Sequence, residues 1–206
     1  GQVSCWLAFL SALVAGTAWL AMLSGRESAT PVARTAFKVQ WLALLGGAVF
    51  LWWILFNHQF QYQYVHDYSS REMPSYYVYA AFWGGQEGTF LLWALLTTTL
   101  GLVLMRWKSP LAQPSMFFLN LPVVLLTFVS VIRGPFLRSA QAYTDGAGLN
   151  PLLQDYWMTI HPPILFTGFS SFVVPFAIAC AALLKRDYDG WVKPALPWVV
   201  FSTAIQ

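Results

Sequence analysis

The sequence predicts an all-α integral membrane protein, a polytopic bundle of transmembrane helices. Three observations carry that prediction. Of 206 residues, 58% are apolar and only 9% charged, where a soluble domain carries about 25% charged residues. Mean hydropathy is +0.57, and 11 Trp, 9 Tyr and 16 Phe add more apolar bulk than 11 Lys and Arg with 8 Asp and Glu can surround. Five apolar runs approach the roughly 20 residues that a bilayer-spanning helix needs. This composition excludes a soluble enzyme domain, a disordered chain and a disulfide-rich secreted module.

The runs cover about 3–24, 39–57, 88–106, 115–132 and 163–184. A sixth opens near Ala195 and is too short to span when it reaches Gln206. With no initiator Met, the chain reads as the N-terminal membrane portion of a longer protein, interrupted inside its sixth helix. The first run is not a removable signal peptide, because no basic stretch precedes it and no small-residue cleavage site follows. The formal charge of +3 comes without a basic cluster to follow a phosphate track, so nucleic acid is not an expected partner. Cys5 and Cys180 lie in apolar runs without CxxC spacing and read as small buried hydrophobes.

Charge distribution sets the expected orientation. Arg26, Arg34, Lys38, Arg106, Lys108, Lys185, Arg186 and Lys193 occupy alternate loops. The opposite loops carry Arg71, Arg133 and Arg138 against Asp67, Glu72, Glu87, Asp145 and Asp155. By the positive-inside rule the first set is cytoplasmic, and the N-terminus with loops 58–87 and 133–162 faces outward. Those outer loops are long for a membrane bundle and hold all three histidines. Tyr76–Trp83 has the aromatic density of a headgroup boundary, and Pro151–Met158 is expected to form a short helix lying in it.

Two outer segments carry the chemistry worth weighing. The first is Trp83-Gly84-Gly85-Gln86-Glu87-Gly88 at the entry to the third span. Its plain reading is a helix start, with Glu87 complementing the macrodipole and Gly84 and Gly88 allowing close packing. Its functional reading is a bend lining a pocket for a flat apolar ligand, with Gln86 and Glu87 as polar contacts. The second is Asn150-Pro151-Leu152-Leu153-Gln154-Asp155, followed by His161-Pro162-Pro163, where consecutive prolines are expected to open the fifth span and hold His161 at its mouth. A neutral imidazole there is either an ordinary interfacial residue or a ligand for haem iron or another metal. His58 and His66 share no helical face and read as solvated loop residues. No Ser-His-Asp order, HExxH, GxSxG or phosphate loop occurs, and no charge sits at a span centre, as an ion or proton pathway needs.

Together the two segments resemble the CcmF/NrfE family of cytochrome c-type biogenesis haem lyases. The resemblance rests on Trp83–Trp93 (WGGQEGTFLLW), on Asn150–Asp155 (NPLLQD) and on His161-Pro162-Pro163, in register along essentially the whole chain. It implies that haem is the cofactor and that the site lies on the outer face of a bacterial or mitochondrial inner membrane. The implied partners are the haem chaperone CcmE, apocytochrome c, and thiol-redox and chaperone subunits of the maturation system. His161 matches the family's outward axial haem ligand. Trp83, Gly84, Gly85, Gln86, Glu87, Gly88, Asn150, Gln154, Asp155, Pro162 and Pro163 would line the haem or partner pocket. The family's tryptophan-rich haem loop, its second outward histidine and the two histidines of its resident haem b are expected beyond Gln206. A haem lyase component is therefore expected. A non-enzymatic scaffold docking a chaperone or cytochrome is the alternative, and a haem-transport subunit is disfavoured by spans rich in Leu, Val, Phe and Trp.

Overall fold

The computed structural model describes the backbone of residues 1–206 and every side chain except that of Met158. The helices are α1 (Gln2–Leu23), α2 (Thr30–Phe56), α3 (Gln63–Tyr68), α4 (Ser75–Ala80), α5 (Gln86–Leu104), α6 (Ala112–Ile132), α7 (Tyr156–Lys185) and α8 (Val192–Ile205). Short 3-10 turns at Glu27–Ala29, Ala81–Trp83 and Pro151–Leu153 join them. Five helices, α1, α2, α5, α6 and α7, are long and apolar enough to cross a membrane, whereas α8 is shorter.

Small residues let these helices approach. On α1, Cys5, Ala8, Ala12 and Ala15 fall at helical spacing and are at most 2% exposed, facing α2 and α6. With lipid as solvent, close van der Waals packing rather than hydrophobic burial drives such contacts. Gly101 of α5 lies flat against the Phe37 ring of α2, where a Cβ would overlap it. Large apolar side chains point the other way, as Leu10, Leu125 and Phe176 show by remaining more than half exposed. Buried hydroxyls return their protons to their own helix, Thr98 to Ala94 and Thr127 to Val123, which satisfies them without water. Across helices, the Asn120 amide donates to the Ala12 carbonyl at 2.9 Å and Thr97 to Ser170 at 3.2 Å. Cys5 is core, while Cys180 is half-buried.

Two helices start more than three residues before their apolar runs. The second begins at Thr30 rather than near residue 39, because Pro31 suits a first helical turn and Arg34 and Lys38 lower hydropathy without opposing helix formation. The fifth long helix begins at Tyr156, which corrects the expected break before it. Asp155 caps it by accepting from the Trp157 N–H at 2.9 Å. Thr159 donates to the Tyr156 carbonyl at 2.6 Å. So residues 151–158 do not form a separate interfacial helix, and Pro162 and Pro163 lie inside α7 instead of opening it. The two prolines remove two helical donors.

The long loops at one end of the bundle fold onto each other as a cap. Tyr62 and Arg138 pair as an isolated antiparallel bridge, with Gln63 N–H donating to the Leu137 carbonyl and Ser139 N–H to that of Gln61. Further along, the Ala147 and Gly148 N–H groups donate to the carbonyls of His66 and Ser69. The His66 ring stacks on Tyr143 at 3.6 Å and bonds Asp67 at 2.8 Å. His58, with φ of 50°, closes α2 in the left-handed region and is half-buried. Neither is the freely solvated loop residue expected. Among the described residues, no group of three His, Cys, Asp or Glu side chains converges as a metal would need.

One cap contact titrates. The N–H groups of Arg71 and Gly146 donate to Asp145 at 3.0 and 2.7 Å, and these bonds hold its carboxyl below the ordinary 3.8. A depressed carboxyl adds stability above its unfolded value, and that stability is lost as pH falls through the lower folded value. Amide hydrogen exchange at Arg71 and Gly146, corrected for intrinsic rate, is expected to accelerate only below pH 3.8. Asp145→Asn should abolish that dependence; equal acceleration in the variant would rule out Asp145 as its source.

Candidate functional site

The glycine motif is a junction between cap and bundle, built around Tyr64. Its hydroxyl is buried beneath the Ala81–Trp83 turn and donates toward the carbonyls of Phe82 at 2.8 Å and Ala81 at 3.0 Å. It accepts from the Gly85 N–H at 3.1 Å. Burial pushes the phenol well above its usual range, so Tyr64 remains a neutral donor. The glycines are required by close approach. A Cβ at Gly88 would overlap the Phe82 carbonyl oxygen and lie 2.5 Å from the Tyr64 hydroxyl. A Cβ at Gly85 would meet the Tyr68 ring at 2.5 Å, and at Gly84 the Leu149 side chain at 2.8 Å.

Gly85 is the N-cap of α5, and Glu87 stands in its first turn, where the helix N-terminus favours a carboxylate. One Glu87 oxygen, Oε2, is buried without a hydrogen-bond partner among the described residues. Gln86 is exposed. Trp83 is half-buried, packs edge-on against Tyr79 at 5.3 Å, and leaves its indole N–H buried without a partner.

The second motif spends its polar groups on local backbone. The Asn150 side chain accepts from Leu152 N–H at 3.0 Å, and the Gln154 amide donates to the Leu149 carbonyl at 2.7 Å. Asp155 caps α7, and the Tyr77 hydroxyl donates to the Gln154 carbonyl at 2.6 Å. Asn150, Gln154 and Asp155 therefore each shape the local chain, and all three remain exposed.

The two motifs meet. Trp83, Gly84 and Ala80 line a hollow of about 50 Å3 together with Leu149, Leu153 and Pro162. Ligand pockets run to about 300–1,000 Å3, so this is a packing seam. Gln86, Glu87 and Gly88 do not line it. His161 lies one residue before Pro162 and is exposed. Trp157, one turn before it, and Ile164, one turn after, are 69% and 45% exposed, and 3.6-residue periodicity places all three on one face. Pro163 is half-buried, its carbonyl accepting from the Thr167 hydroxyl at 2.7 Å. Tyr64, Tyr68 and Leu149 were not singled out in the sequence; the glycine spacing signals close approach, but no local pattern names what approaches.

Fold and site define a class: a polytopic α-helical membrane protein whose loops at one end form a cap, beside which an exposed histidine sits in an aromatic and aliphatic helix face. The sequence model described as cytochrome C assembly protein matches residues 83–204. The chain belongs to that family, on its CcmF/NrfE branch. It is 34% identical over 226 aligned positions to the cytochrome c-type biogenesis protein CcmF of Pseudomonas aeruginosa, covering 99% of this chain and 32% of the relative. It is 37% identical over 117 positions to the probable cytochrome c-type biogenesis protein NrfE of Escherichia coli K12, covering 54% of this chain and 21% of that one. A solved structure titled cytochrome c heme lyase CcmF superposes with a TM-score of 0.82 at 27% identity, covering 100% of this chain and 33% of its own. The chain thus spans about one third of the length of such relatives.

Proposed function

We propose that this chain is the N-terminal membrane portion of a haem lyase of cytochrome c maturation, and that His161 meets haem as an axial ligand on the outer face. The observation that carries this reading is the exposed His161 imidazole, held beside the seam where the WGG and HPP segments lock together. The haem substrate supplies the iron that an imidazole can ligate and the vinyl groups to be joined to apocytochrome thiols. The seam is too small to admit it, so haem lies against the outer face of α7. There Trp157 and Ile164 offer apolar surface on either side of the imidazole. These residues fit one face of a haem and leave the other to the remainder of the protein. In this reading CcmE delivers the haem, apocytochrome c receives it, and the chain's own contribution is to bind and orient.

Sidedness is testable through exposed positions. In the full-length protein freed of Cys5 and Cys180, single cysteines at Ser75 and Gln141 are expected to react with an impermeant thiol reagent in intact cells. Cysteines at Ser28 and Asp189 should stay protected. Reversed labelling would put His161 on the wrong side for an extracytoplasmic haem.

Function itself is read as covalent cytochrome c yield beside the abundance of the full-length protein. Glu87→Gln keeps size and removes charge, and is expected to cost about 0.3–1 kcal/mol of helix stability with partial loss of yield at unchanged protein level. Full yield would confine Glu87 to complementing the helix N-terminus.

A further inference from the structure

At the end of the bundle opposite the cap, a hollow of about 350 Å3 opens between α2 and α5. Its cations are Arg34, Lys38 and Arg106, and its apolar wall includes Trp41, Leu42 and Leu102. We propose that this hollow binds one anionic phospholipid, with the phosphate group held by the three cations and an acyl chain laid along the wall.

Geometry sorts the lining by depth. Along α2, Arg34, Lys38, Trp41 and Leu42 follow one helical face, and about 10 Å of helix rise separates Arg34 from Trp41. That is the step from a charged headgroup to the start of the hydrocarbon, where tryptophan concentrates. Leu42 is 59% exposed, so the wall is open to lipid rather than sealed by protein.

The hollow has fixed walls. A guanidinium N–H of Arg34 donates across to the Met105 carbonyl at 3.3 Å, and the Trp41 indole donates to the Thr99 hydroxyl at 3.0 Å, so both bonds tie α2 to α5. Arg34 keeps further donors for a phosphate oxygen, since a guanidinium has five. Charge is left over as well. Among the described residues the one ion pair within 4.0 Å is His66 with Asp67, at the other end of the bundle. Among the described residues no carboxylate lies within 4.0 Å of the charged groups of Arg34, Lys38 or Arg106. Three uncompensated cations around a hollow at the membrane boundary attract an anionic headgroup and gain less from a zwitterionic one. This inference stands apart from haem chemistry.

The experiment is native mass spectrometry of the purified full-length protein, titrated with phosphatidylglycerol, phosphatidylcholine or free glycerol 3-phosphate. Phosphatidylglycerol is expected to bind with clear preference over phosphatidylcholine, and glycerol 3-phosphate not at all. The K38Q/R106Q variant spares the Arg34–Met105 bond and is expected to weaken phosphatidylglycerol about 30-fold, from two cations near the membrane surface, while leaving phosphatidylcholine unchanged. Equal binding of the two lipids, or an unaltered variant, would overturn the proposal. Binding of glycerol 3-phosphate as tight as that of the lipid would overturn it in favour of a soluble phosphate site.

Discussion

His161→Ala is expected to abolish covalent cytochrome c formation while leaving the membrane protein inserted and abundant. The side chain is exposed, and the helix is capped by Asp155 instead; surface substitutions of that kind change stability by only about 0.5 kcal/mol either way. Loss of function would therefore come from chemistry. Groups that merely orient a metal ligand cost about 10–100-fold when removed, so removing the ligand itself should leave no measurable yield. Free imidazole, able to occupy the vacated position, is expected to restore part of it. The measurement is haem-stained cytochrome c beside an immunoblot of the full-length variant. Near-normal yield would return His161 to the status of an ordinary interfacial residue.

Gly88→Ala is expected to have the largest effect on folding. Its methyl group has nowhere to go, because the nearest atom is the Phe82 backbone carbonyl and the next is the Tyr64 hydroxyl that secures that carbonyl. Relief requires moving the Ala81–Trp83 turn or expelling Tyr64, and overpacking costs about 1–3 kcal/mol, occasionally more. The full-length variant should be scarce in membranes, and its thermal transition in detergent should drop. Gly46→Ala is the control. Nothing lies within 4 Å of a Cβ there, and alanine gains about 1 kcal/mol over glycine in a helix, so abundance should hold or rise. Equal behaviour of the two variants would refute the junction.

The helices were legible because lipid-facing segments must be continuously apolar, a pattern that survives without knowledge of packing. Their ends were less so. Pro162-Pro163 signals a helix start locally, yet Asp155 captures the Trp157 N–H a turn earlier, and the prolines are carried inside α7. Arg34 and Lys38 hid the first turns of α2 because hydropathy measures solvent and not backbone conformation. The cap was illegible for a different reason. It is made of backbone pairings such as Tyr62 with Arg138, distant in sequence and carried by no side-chain pattern. At the site, glycine spacing disclosed that something approaches closely, and the resemblance singled out His161. Neither disclosed that Tyr64 is the group beneath the glycines, nor that Asn150, Gln154 and Asp155 serve the chain's own turns.

The proposed contact between the His161 imidazole and the iron of the transferred haem has a spectroscopic signature. The most direct measurement is the absorption spectrum of the purified full-length protein loaded with that haem, recorded for the native protein and for His161→Ala, each with and without added imidazole. The variant's haem band is expected to shift from the native position, as a changed axial ligand requires, and to return toward it when imidazole is added. A variant spectrum identical to the native one, with the same haem bound, would contradict the proposed contact.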